Sequence, residues 1–151
     1  MKYTEKISNQ LNDLLEKTYD AEKGYKLAAD KVEVPAVKQF LNDKVKQRNM
    51  FGHELKAEIR EFGELPDKGG SVKGDLHRTW MNLTSTLTGN ETERILEEVE
   101  RGEKATLERY DEILGNKENV LPPSTEQLLR NQRNAIQAAL NTSKMYEQVV
   151  S

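Results

Sequence analysis

The chain has no cysteine, which excludes disulfides, thiolate zinc sites, iron–sulfur clusters and cysteine nucleophiles. Four prolines and nine glycines in 151 residues leave few interruptions, and most fall between periodic segments. Aromatic residues are 6%, with a single tryptophan. There are two histidines, His53 and His77, so histidine-rich metal sites are excluded as well. No apolar run approaches the ~18 residues that would span a bilayer. The N-terminal stretch Met1-Lys2-Tyr3-Thr4-Glu5 has no apolar core of a secretory signal. The expectation is a cytoplasmic protein without a membrane partner. No block of one charge sign occurs; the net charge is -3 with both signs interleaved, so no nucleic-acid-binding stripe is expected.

Charge is what the sequence has in plenty: 32% charged against 35% hydrophobic residues. That balance suits long amphipathic helices, each burying one stripe and solvating the rest. The length fits a single domain over residues 1–151. From about Thr4 to Lys31 the stripe is Ile7, Leu11, Leu14, Leu15, Ala21, Tyr25, Ala28 and Val32, at helical spacing. Val34-Pro35 breaks it, and Pro35 suits the first turn of a second helix. That helix carries Val37, Leu41, Val45, Leu55, Ile59 and Phe62 before Gly63 stops it. Ser71 can cap a short helix with Val72, Leu76, Trp80, Leu83 and Leu87 on one side. Asn90, with Glu93 three residues on, can cap a helix carrying Ile95, Leu96, Val99, Leu107, Tyr110, Ile113 and Leu114. After Pro122-Pro123, the run Ser124-Thr125-Glu126-Gln127 reads as a capping box for a last helix carrying Leu128, Leu129, Ile136, Ala139, Leu140, Tyr146 and Val150. No strand pattern competes. The fold class is an all-α, antiparallel four-helix bundle with the short helix in a long crossover between helices 2 and 3.

The polar residues inside the stripes carry the functional reading. At 100° per residue, Thr18 and Glu22 fall within the first stripe, Arg48 at the centre of the second, Glu103 and Thr106 at the centre of the third, and Gln132 and Ser143 in the last. Glu22, Arg48 and Glu103 also lie near the midpoints of their helices. The sequence therefore predicts one buried Glu–Arg–Glu layer, with Gln132 near by and Tyr25 and Tyr110 about a turn away. Buried charges of this kind must pair. The cluster reads either as architecture that sets helix register or as a binding site in the bundle core.

A carboxylate-bridged di-metal site needs a Glu from each of two helices and Glu-x-x-His from each of the other two. The residues three before His53 and His77 are Met50 and Gly74, so no Glu-x-x-His occurs. Arg48 would also repel a cation. The expectation is no cofactor, with iron held through Glu22, Glu54 and Glu103 as the alternative. A small anion beside Arg48 is a third reading. Glu54 and Glu58, four apart on an edge of the second helix, could hold a cation or pair with Lys73 or Arg78. His53 points to solvent. His77 lies three residues before Trp80 and is a candidate for a ligand or proton-transfer role. No nucleophile motif or phosphate loop is present, so the reading leans away from an enzyme.

Several stretches carry a resemblance: Gly24-Tyr25 with Ala28-Ala29, Arg48 to Phe51 with Glu54-Leu55 and Glu58, Gly63 to Pro66, and Glu98 to Gly102-Glu103. The run Gly-Ser-x-x-Gly-x-x-His-Arg-x-Trp from Gly70 to Trp80 is the most specific. On these the chain resembles an uncharacterised bacterial family of four-helix bundles in the ferritin-like superfamily. The resemblance implies a ferritin-like bundle with an extra helical crossover and no assigned activity. It directs attention to Glu22, Arg48, Glu54, Glu58, His77, Trp80 and Glu103. A homodimer meeting through the short helix with Trp80, Met81 and Leu83 would suit a non-enzymatic role.

Overall fold

The computed structural model describes residues 2–68 and 91–151. Among these the chain is all-helical: α1 (Tyr3–Lys31), α2 (Pro35–Glu61), α3 (Glu91–Gly115) and α4 (Pro123–Val150). At 1.5 Å per residue each helix is roughly 38 to 44 Å long. The expected short helix from Ser71, with His77 and Trp80, lies outside the described residues, as does the expected cap Asn90.

Boundaries follow local chemistry. Pro35 occupies the first turn of α2, where a missing N–H costs nothing. The Lys38 ammonium donates to the Ala29 carbonyl at 2.6 Å and so satisfies an end of α1 from the start of α2. At the other end of α2, Gly63 takes φ 78, and the Gly63 and Glu64 amides return to Arg60 and Ile59. This is a Schellman closure, which a left-handed glycine makes without a Cβ clash.

The expected capping box at Ser124 does not form. The helix starts earlier, with Pro122 as N-cap, Pro123 in its first turn, and no side-chain cap. Two prolines already hold the φ that a helix start needs. Thr125 is buried instead, and its hydroxyl donates to Glu58 Oε2 at 3.3 Å.

The stripes meet as expected. α1 packs on α2 and α3, and α4 packs on α3 and α2, so α2 and α3 face each other across a diagonal. Tyr25 meets Phe40 edge-on, Gly52 faces Leu15 and Thr18, and Asn12 reaches Leu65. Positions thus advance along α1 as they retreat along α2. Two apolar clusters fill the bundle, one around Ala28, Leu41 and Val99, the other around Leu14, Leu55 and Ile136. Each fully buried Leu or Ile contributes about 1.5–3 kcal/mol relative to exposure. No helix among the described residues is long and apolar enough to cross a membrane.

Candidate functional site

Arg48 is the largest fully buried side chain of the described residues. It projects from the middle of α2 because Val37, Leu41, Leu55 and Ile59 turn that face of the helix inward. Glu103 reaches it from α3, for the same reason, among Val99, Thr106 and Tyr110. The guanidinium and carboxylate lie parallel: Nη1 donates to Glu103 Oε1 at 2.6 Å and Nη2 donates to Oε2. Both side chains are at most 1% exposed. The fork of donors matches the carboxylate edge, so both oxygens are engaged by one residue.

An aromatic ring from each apolar cluster flanks the guanidinium carbon. Tyr25 has its centroid 5.4 Å away and Phe51 5.8 Å away. These ring faces are attractive to a cation that has lost its water. Burial pulls the Arg48 pKa down, but the Glu103 carboxylate outweighs it and the guanidinium is held above its ordinary range. Burial and the nearby Glu103 push the Tyr25 phenol well up, so it stays protonated.

A second buried strand of polar contacts starts at Tyr110. Its hydroxyl donates to Gln132 Oε1 at 2.6 Å, and Gln132 Nε2 donates to Glu54 Oε1 at 3.2 Å and to the Phe51 carbonyl at 3.4 Å. Tyr110 is raised above its ordinary pKa, chiefly by burial. One amide therefore ties α4 to both α3 and α2. Thr18 and Thr106 turn their hydroxyls back onto the Leu14 and Gly102 carbonyls.

The sequence expectations are met unevenly. Arg48, Glu103, Gln132, Tyr25 and Tyr110 are buried together in one region. Glu22 is not in the layer: it is only half-buried, and its Oε2 accepts from the exposed Asn49 amide at 3.4 Å. The expected triad is a pair, because Glu103 alone satisfies the fork and a second carboxylate would bring charge without a counterion. Glu54 and Glu58 turn toward α4, to Gln132 and Thr125, rather than forming a cation pair of their own. His53 is exposed. His77 and Trp80 lie outside the described residues.

Phe40 and Phe51 are buried on α2, although the stripe read from the sequence omits them. Phe40 lies three residues after Val37, and Phe51 lies three after Arg48 and four before Leu55, which was the available signal.

Iron fits these residues poorly. Glu103 gives both oxygens to Arg48, while Glu22 and Glu54 point to different partners. The carboxylates that do converge lie elsewhere: oxygens of Glu93, Glu97 and Glu147 come within 4.8 Å of one another at the α3–α4 surface. Those are the residues, among the described ones, most able to share a cation.

No curated protein matches this chain. The family model described as a domain of unknown function, DUF2383, matches residues 6–116, which include Tyr25, Arg48, Glu103 and Tyr110, and the chain belongs to that family.

Proposed function

We propose that the protein is a non-catalytic helical bundle of the antiparallel, ferritin-like type, in which a buried ion pair occupies the core that di-metal relatives of that fold use for ligands. The observation that carries this reading is the two-toothed Arg48–Glu103 contact, with the Tyr25 and Phe51 rings packed near the guanidinium. A fixed cation already neutralises the one fully buried carboxylate among the described residues, so a second cation gains no ligand there. The diagonal placement of α2 and α3 supports the ferritin-like part. A chain leaving α2 at Glu61 must return the length of the bundle before α3 begins, which is a crossover.

Such a protein acts by presenting its surface, in the cytoplasm, to a partner or to a second copy of itself. Self-association through residues 71–87 follows from the apolar side read there, and light scattering on a sizing column tests it. A monomer at every concentration would remove that part. The metal question has its own test. Purified protein incubated with ferrous iron in air and then desalted should retain far less than one iron per chain by elemental analysis. Stoichiometric iron that disappears in Glu103→Ala would overturn the reading in favour of a metalloprotein.

A further inference from the structure

The loop after α2 is held against α1 by three contacts that the core does not require. The Asn12 side chain donates to the Leu65 carbonyl at 3.2 Å and accepts from the Asp67 amide at 2.8 Å. The Tyr19 hydroxyl donates to the Asp67 carbonyl at 3.4 Å. With Gly63 closing the helix, these contacts build one wall of a groove of about 430 Å³. Its lining joins an aromatic and apolar floor, Tyr19, Leu65 and Pro66, to three cations, Lys56, Arg60 and Lys68.

The charge here is lopsided. Lys56 stands over the Tyr19 ring, 5.2 Å from its centroid. Among the described residues neither Arg60 nor Lys68 has an ion-pair partner. Asp67 is the acid in the lining. Burial and the neighbouring Glu16 carboxylate on α1 raise its pKa. Elsewhere on this surface Lys and Arg stand beside acids, as Lys17 and Arg109 do at Asp13.

We propose that this groove binds a small phosphate ester, its phosphate among Lys56, Arg60 and Lys68 and its apolar or aromatic body against Tyr19, Leu65 and Pro66. A doubly charged oxyanion matches three cations better than a carboxylate does, and a guanidinium can grip two of its oxygens. The exposed Leu65 side chain offers apolar area that the protein itself does not cover. This inference is independent of the proposed function and concerns another part of the surface.

Amide chemical shifts of the full chain titrated with phenyl phosphate give the test. The amides of Glu64, Leu65, Asp67, Lys68 and Tyr19 should shift and saturate. Inorganic phosphate, lacking the ring, should bind the same amides about tenfold more weakly, and benzoate more weakly still. Arg60→Gln with Lys68→Gln should reduce phenyl phosphate affinity by at least about tenfold with an unchanged melt. Lys68→Gln alone, at an exposed position, serves if the pair disturbs folding. Tyr19→Ala should weaken phenyl phosphate and spare inorganic phosphate. No saturation up to about 10 mM, shifts elsewhere only, or affinity indifferent to both glutamines would overturn the proposal. Equal affinity for benzoate would overturn its choice of phosphate. Tighter binding of a single-stranded RNA than of phenyl phosphate would assign the groove to a different partner and overturn it as well.

Discussion

At the scale of single residues, Arg48 has the most consequence per atom. Its guanidinium is buried, forked onto one carboxylate and close to two ring centroids, at 5.4 and 5.8 Å. Removing it strands Glu103 in an apolar interior. Arg48→Met is expected to lower unfolding free energy by roughly 3 kcal/mol or more, read by urea or thermal melts. An unchanged melt would show that Glu103 is hydrated or protonated instead. Lysine is a poor replacement, since one ammonium cannot engage both oxygens across the diagonal.

Gly52 marks the opposite kind of residue. A Cβ there would stand 3.9 Å from Leu15 and 4.0 Å from Thr18 and Tyr19, ordinary contact distances. Gly52→Ala is therefore expected to stabilise the protein by about 0.5–1 kcal/mol, because helix formation then costs less backbone entropy. A destabilised variant would show that α1 and α2 approach more closely than this.

At the scale of elements, α3 and α4 meet along a seam that carries too many acids. Glu93 and Glu97 on α3 face Glu147 on α4, and Glu100 also lies beside Glu147. Lys144 is the cation facing Glu100 across the seam, with Arg101 and Lys104 at the rim. Burial, then the contact with Glu147, pushes the Glu100 carboxyl up to about 8. The folded state thus holds a proton that the unfolded chain releases above the ordinary carboxyl value of 4.5.

Between those values the folded state binds more protons, so stability falls as pH rises and levels off above about 8. Asp13 acts in the other direction. Burial raises its pKa, but Lys17 and Arg109 more than offset this and hold it below 3.8, so its contribution is lost only in stronger acid. The expected result is a melting temperature that declines from pH 5 toward pH 8. Glu100→Gln should flatten that decline. Glu100 is only half-buried, so solvent screens the effect and keeps it modest. A slope that survives the substitution would place the proton elsewhere.

At the scale of the whole molecule, the buried pair divides the core. Tyr25 belongs to one apolar cluster and Phe51 to the other, and Arg48 lies between them. Replacing both charges together removes the reason for that division. Arg48→Met with Glu103→Leu is expected to recover most of the stability that Arg48→Met loses, and can exceed the parent by about 1–4 kcal/mol. The two substitutions should be strongly non-additive in a double-mutant cycle. If the double variant keeps its melt but broadens it, the pair sets helix register more than it sets stability.

Much of this arrangement is legible in the residue order. The period of three to four in Ile7 through Val32, or in Ile95 through Leu114, requires helices whose apolar sides must meet. Arg48 and Glu103 fall at the centres of their stripes, so their burial follows from angle alone. Glu22 shows where that reasoning stops. A residue at the side of a stripe can turn inward or toward the rim, and only the neighbouring helix decides. Here Asn49 and solvent receive it. The start of α4 is similar: the four polar residues after Pro123 can form a capping box in isolation, but Glu58 on α2 takes Thr125 into a different bond.

Helix type, approximate length and inward face are local properties, set by side-chain spacing and backbone sterics within a few turns, so the order of residues already carries them. Which helices share an edge, that Arg48 reaches across a diagonal to Glu103, and that Lys56, Arg60 and Lys68 line one groove with Tyr19 arise from how the helices pack. Those facts join residues tens of positions apart, and spacing along one helix carries no information about the azimuth or height of another.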